Sequence, residues 1–264
     1  MIFRLQPCRF HFRATGSIYF PPAKAGNVLR GALGKALSEL ALRRPDSPGG
    51  FANPPQPWVF RAAHLDGQRF QAGENFSFGL NIFDLHTPLL NKFTGIFADW
   101  ATTGLGPRRG CVELVDAELL PAVSLDLSPG PPASRCSLAF RTPTDLKGAS
   151  RREAVPFHLL FARVRDRISA LQTCFAQRPF AVDFPAIGAR AFLINTLRSD
   201  LKYNAVSRRS SRTGQTHEIG GLTGSVDYEG ELTEFLPWLN AARWTGVGRH
   251  TVWGNGEIEV TRFE

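Results

Sequence analysis

The sequence predicts an α+β protein made of two βαββαβ units in tandem. Three observations carry this. Apolar spacing switches between period two and period 3.6 in the order strand, helix, strand, strand, helix, strand. The same order returns after the run Ser128-Pro129-Gly130-Pro131-Pro132. The length, 264 residues, suits two domains of about 130 residues each. The expected boundaries are 1–127 for the first domain, 128–135 for the linker and 136–264 for the second.

In chain order, residues 2–14 read as a strand with a bulge at Pro7, placing Phe10 and Phe12 on one face and Arg9, His11 and Arg13 on the other. A helix follows over 23–43, with Leu29, Leu33, Ala36, Leu37 and Leu40 as its apolar stripe and Lys24, Asn27, Gly31 and Lys35 on the opposite side. Residues 44–57 are a Pro/Gly loop. Strands are expected at 58–62 and 74–83, a helix at 86–100 and a strand at 111–119. This is the ferredoxin-like (RRM-like) pattern. In the second half a strand is expected at 137–142, the clearest helix of the chain at 156–176, strands at 192–206 and 219–229, a helix at 232–244 and a closing strand at 257–263. Trp58, Trp100 and Trp238 read as core anchors, and His64, His86 and His158 as structural.

The composition is that of a folded chain, 43% hydrophobic and 20% charged, which excludes a disordered protein. The formal charge is +8 and arginine predominates, with lysine only at 24, 35, 92, 147 and 202. A planar guanidinium grips phosphate with two hydrogen bonds and stacks on bases, so a polyanionic partner is expected. Cys8, Cys111, Cys136 and Cys174 are dispersed and show no zinc spacing; neither metal nor cofactor is expected. The N-terminal segment carries Arg4, Arg9, His11 and Arg13 and does not read as a signal peptide, and no run of 18 apolar residues occurs. The expectation is a cytoplasmic protein without a membrane partner.

Two stretches stand out. Residues 246–256, GVGRHTVWGNG, hold four glycines with Arg249, His250 and Trp253; glycine-rich backbone approaches a ligand closely and its amides can cradle an anion. Residues 207–217, SRRSSRTGQTH, end a span from Arg190 to His217 with six basic side chains against one acidic, Asp200. Arginines among hydroxyls and glycine contact phosphates from a loop.

With both stretches in view the chain resembles the CRISPR-associated endoribonucleases of the RAMP superfamily that process CRISPR repeat transcripts. The matching pieces are residues 26–37 (GNVLRGALGKAL), 57–60 (PWVF), the turn at 104–109, Arg208 to Arg212 followed by GGLTG at 220–224, FLP at 235–237, and 246–256. Their order, more than any one of them, is specific. The resemblance implies tandem ferredoxin-like domains facing a basic cleft, CRISPR repeat RNA (a stem-loop or its flank) as partner, and metal-independent cleavage in which a 2′-OH attacks the adjacent phosphorus to leave a cyclic phosphate. It also implies retention as an effector-complex subunit. The alternative is a non-catalytic RAMP subunit that binds or caps guide RNA.

Family members usually carry a catalytic histidine on or just after the first helix. Here no histidine lies between His11 and His64, so the general base stays open among a Lys24/Tyr19 pair, His217 and His250, with His11 a further strand-borne candidate. The expected RNA-binding residues are Arg30, Lys35, Arg208, Arg209, Arg212, Gly246, Gly248, Arg249, Trp253, Gly254 and Gly256. Trp253, flanked by glycine, is expected to stack on a base.

Overall fold

The computed structural model describes residues 1–34, 36, 54–106, 108–149, 154–176, 178–209 and 215–264, the side chain of Arg209 excepted. The expectations placed on Lys35, on Arg212, on the helix beyond residue 36 and on most of the loop at 44–57 lie outside the described residues.

The first unit runs β1 (Ile2–Ala14), β2 (Ile18–Tyr19), α1 (Ala25–Leu33), β3 (Trp58–Arg61), β4 (Arg69–Phe70), β5 (Asn75–Ile82), α2 (Leu89–Ala98), a further helical turn Trp100–Thr103, β6 (Val112–Leu119) and β7 (Val123–Asp126). Its sheet has the order β3-β5-β1-β6, with β7 on the N-terminal half of β1, and all pairings are antiparallel. The second unit comprises β8 (Arg135–Thr144), α3 (Phe157–Leu171), α4 (Phe184–Ala191), β9 (Asn195–Ser199), β10 (Lys202–Asn204), β11 (Ser207–Arg209), β12 (Thr216–Glu218), β13 (Gly221–Glu229), α5 (Leu236–Thr245) and β14 (Ile258–Phe263). Its sheet order, β10-β13-β8-β14 with β9 also on β13, repeats that of the first. In both, the strand before the second helix lies between the first and second strands of the unit, the ferredoxin-like arrangement expected from the element order.

Alternation in β1 resolves as read: Phe10 and Phe12 are fully buried while Arg9 and Arg13 face solvent. Phe12 stacks on Phe76, Phe78 and Trp100 at centroid distances of 5.2–5.7 Å, and such pairs add about 0.5–1.5 kcal/mol each beyond area burial. Trp58, Trp100 and Trp238 are in the core. His64 bonds the Ser77 carbonyl and His158 stacks on Phe192.

Several local expectations are corrected. Pro7 pairs in register with Asn81, and the bulge falls instead between His11 and Phe12, against β6. The helix expected over 86–100 breaks into α2 and a separate turn. The helix expected to end at residue 176 closes as a π turn over 172–176. The helix α4 was not foreseen, although its start signal is present: Asp183 caps the Ala186 amide and Pro185 sits in the first turn.

The two units share structure at their junction. Phe3 and Leu5 from the start of β1, with Val59, Phe83 and Leu127, pack into the core of the second unit. The C-terminal carbonyls of α5, left without intrahelical partners, are bonded by side chains from elsewhere: Arg61 Nη2 donates to Arg243 O at 2.7 Å, Asn81 Nδ2 to Trp244 O at 2.8 Å, and Arg167 Nε to Thr245 O at 3.0 Å. Two of these three come from the first unit, so the end of α5 is a latch between the units. Its guanidiniums also complement the negative end of the helix dipole.

Candidate functional site

The glycine-rich stretch is a folded loop, held to the end of β8 by its own backbone. Arg249 N donates to Asp145 O at 2.9 Å and Gly256 N to Pro143 O at 3.0 Å. Thr142 Oγ1 donates to Gly254 O and accepts from Glu257 N, both at 2.9 Å, and Asn255 Nδ2 donates to Ile219 O. Positive φ is required where the path is tightest: at Gly256 (φ 75°) a Cβ would stand 1.9 Å from Val247 O, and at Gly248 (φ 81°) 2.3 Å from Asp145 O. The amides of Gly246, Gly254 and Gly256 are all hydrogen-bonded inside the fold, and those three glycines are buried.

His250 has left-handed backbone (φ 61°) and opens a 3-10 turn, Thr251–Trp253. This turn is wedged between the units. Val252 packs on the core of the first unit, and Gly26 of α1 lies directly on the Trp253 carbonyl. The start of α1 has no side-chain cap of its own. Asp66, from the loop after the 3-10 turn Ala63–Leu65, supplies it by accepting from the Lys24 and Ala25 amides at 3.0 and 2.8 Å. Burial raises the Asp66 pKa, and those amide bonds work against the rise.

The basic loop forms the β11–β12 hairpin, in which Arg208 is directly opposite His217. The hairpin and the glycine-rich loop face each other across a cleft of about 600 Å³ lined by Arg208, His217, Arg249, His250 and Trp253, with Thr144, Asp145, Tyr203 and Glu218. Arg249 Nη1 stands 3.5 Å from Asp145 Oδ2. Tyr203 Oη donates to Glu218 Oε1 at 2.5 Å. The Trp253 indole is closely attended: His250 stacks on it at 4.6 Å and 20°, and the guanidiniums of Arg30 and Arg208 lie 4.8 and 5.2 Å from its centroid. Burial is the main cause holding the His250 pKa below the ordinary histidine value; Asp145 opposes the shift, while Arg249, Arg30 and Arg208 reinforce it. Its surroundings therefore favour the neutral imidazole over the imidazolium.

Of the residues singled out from sequence, His217, His250, Arg208, Arg249 and Trp253 meet in this cleft, and Arg30 reaches the same indole from α1. Lys24 stands half-buried at the start of α1 and Tyr19 on β2, its ring under Arg69 at 4.2 Å; neither lines the cleft. His11 faces Glu118 at 3.5 Å on the exposed side of the first sheet. Arg209 contributes backbone to β11. Sequence reasoning missed Asp145, Tyr203 and Glu218. Asp145 follows a strand, Tyr203 sits within one and Glu218 ends one, and no local spacing marks any of them. Among the described residues, no three His, Cys, Asp or Glu side chains gather as metal ligands, and no helix is long and apolar enough to cross a membrane.

Residues 138–258 match the family model of the CRISPR-associated endoribonuclease Cas6. No curated protein matches by sequence. Among solved structures, a Cas6 product complex aligns with TM-score 0.58 and 18% identity over 97% of this chain and 99% of its own. A Thermus thermophilus Cas6 aligns with TM-score 0.59 and 16% identity over 97% and 98%. A partial Cas6-RT-Cas1–Cas2 complex aligns with TM-score 0.58 and 11% identity over 99% of this chain and 46% of that one. In the family matched by its second half, and in the fold it shares over nearly its whole length, this chain is similar to the CRISPR-associated endoribonuclease Cas6.

Proposed function

We propose that the chain is an endoribonuclease that binds CRISPR repeat RNA and cleaves it without a metal. The observation that carries this reading is the convergence of His217, His250, Arg208 and Arg249 on one cleft in a fold shared with Cas6 structures. The product complex among those structures supports RNA as the ligand. Internal transesterification needs a base at the 2′-OH, an acid at the departing 5′-oxygen and cations for the charge that develops on the phosphorane. His250, kept neutral by burial, suits the base. His217, opposite Arg208 on the hairpin, suits the acid, and Arg208 and Arg249 the charge. Lys24 and Tyr19 stand outside the cleft and are assigned no step in it; cleavage by a Lys24→Ala variant tests that exclusion.

The 2′-hydroxyl proton passes to His250, the 2′-oxygen attacks phosphorus in line, and the 5′-oxygen leaves with a proton from His217. The products are a 2′,3′-cyclic phosphate and a 5′-hydroxyl. The test is incubation with the host's repeat RNA in excess EDTA, beside RNA carrying a single 2′-deoxy substitution at each position in turn. Cleavage that persists in EDTA and is abolished by one substitution is expected. Intact RNA bound tightly and repeat-specifically would instead make the chain a guide-binding subunit.

A further inference from the structure

We infer that Trp253 is a positioning residue, an indole that holds His250, Arg30 and Arg208 in one constellation across the two units. The inference rests on the endoribonuclease reading for its kinetic consequence, but its geometry stands alone.

The three groups come from three separate elements: Arg30 from α1, Arg208 from the β11–β12 hairpin and His250 from the glycine-rich loop. Like charges do not gather unaided. Burial is the main cause that lowers the Arg30 pKa, and Arg208 adds to the shift. The electron-rich face of an indole offsets such repulsion by attracting each cation. At 4.8 and 5.2 Å from the ring centroid, both guanidiniums are within the roughly 6 Å over which a ring attracts a cation. His250 is stacked nearly parallel to the same ring, which fixes an imidazole whose backbone is already held in the left-handed region. The backbone that carries the indole is itself fixed, because the carbonyl of Trp253 rests on Gly26 of α1. A side chain so engaged in the free protein serves as a platform for the protein's own charged groups.

The charged groups facing His250 are Asp145 from the end of β8, Arg249 of its own loop, Arg30 of α1 and Arg208 of the hairpin. Removing the indole admits water to His250, raises its pKa and releases Arg30 and Arg208 from their fixed separation. Positioning of this kind acts on the chemical step more than on binding.

The experiment compares the full chain with Trp253→Phe and Trp253→Leu on repeat RNA in EDTA, with melting temperatures to confirm folding. Trp253→Leu is expected to lower kcat about tenfold or more while KM changes less than about twofold, with Trp253→Phe between. The acid limb of the pH profile is expected to move to higher pH. A loss confined to KM, dependent on the nucleotide at one RNA position and with an unchanged pH profile, would mean that Trp253 reads a base and would overturn the inference. The second arm needs no activity. The emission of Trp253, taken as wild type minus Trp253→Phe, should titrate with pH and lose that titration in His250→Gln. A flat difference spectrum overturns the positioning role even if Trp253→Leu fails to fold. Wild-type protein that binds RNA without cutting it would sink the endoribonuclease reading, and the emission arm would then decide the inference by itself.

Discussion

Gly26 of α1 lies against the backbone of Trp253 so closely that a Cβ at residue 26 would stand 1.6 Å from the Trp253 carbonyl oxygen and 2.5 Å from its carbon. One glycine thus decides how near α1, with Arg30, approaches the glycine-rich loop. Two effects compete in Gly26→Ala. Alanine favours the helix by roughly 1 kcal/mol, whereas overpacking against backbone costs about 1–3 kcal/mol. A carbonyl cannot rotate away as a side-chain tip can, so the clash wins. At 1.6 Å from backbone the clash belongs at the upper end of its range, so net destabilisation of about 2 kcal/mol is expected by urea denaturation, with a larger fall in cleavage; a variant as stable and active as wild type would show that this docking is loose.

His250 makes a pH prediction with a definite sign. Its folded pKa lies below the ordinary value, burial being the first cause, so between the folded value and about 6.5 the unfolded chain binds the proton more readily. Stability is therefore fully present above about pH 6.5 and falls as pH drops toward the folded pKa. In His250→Gln that part of the acid sensitivity should disappear from a stability profile measured between pH 4 and 8. The rate should follow the same group: the acid limb of kcat/KM is expected below pH 6.5 in wild type.

The latch at the end of α5 predicts a stability effect remote from the cleft. Asn81 is 4% exposed and donates to Trp244 O. Asn81→Ala leaves that carbonyl buried and unpaired, at a cost of about 1–3 kcal/mol. Arg61, beside it, accounts for the Arg243 carbonyl and stands 4.0 Å from Glu257. With Arg61 and Arg167 still bonding the end of α5, thermal unfolding of Asn81→Ala should remain one transition at a lower temperature; an unchanged melting temperature would show that the latch adds nothing to stability.

The cations of the cleft predict salt behaviour. Arg208→Ala and Arg249→Ala should each weaken RNA binding across sequences and reduce the slope of log affinity against log salt by roughly one. Arg249 is half exposed in its contact with Asp145, and an ion pair of that kind contributes little, about 0–1 kcal/mol, so its transfer to a phosphate is cheap. An unchanged slope in either variant would remove that arginine from the RNA path.

Strand alternation in β1 and β5, and the helical stripe of α3, were readable because each is a local period that one buried face selects. From them the order of elements and the ferredoxin-like pairing followed. The bulge opposite β1 was not readable: Pro7 suggested one, yet Pro7 keeps its register against Asn81, and the extra residue is Val115 of β6, whose pairing no residue of β1 announces. Helix α4 was readable from Asp183 and Pro185 and was overlooked beside the longer helix before it.

For the site, composition and glycine spacing alone marked the arginine hairpin and the 246–256 loop as the places to look. They could not show that three of its four glycine amides are consumed by the fold, that Asp66 caps α1 from another loop, or that Asp145 and Glu218 stand among the cleft's cations. Those facts depend on contacts between residues far apart in the chain, and no short-range period encodes them. The sequence by itself determined the element types, the core faces and the excess of arginine, because these follow from side-chain chemistry repeated at local spacing. Only tertiary structure decided which of those charges share one indole, because that required the glycine-rich loop of the second unit to dock on the first and a glycine on α1 small enough to let it.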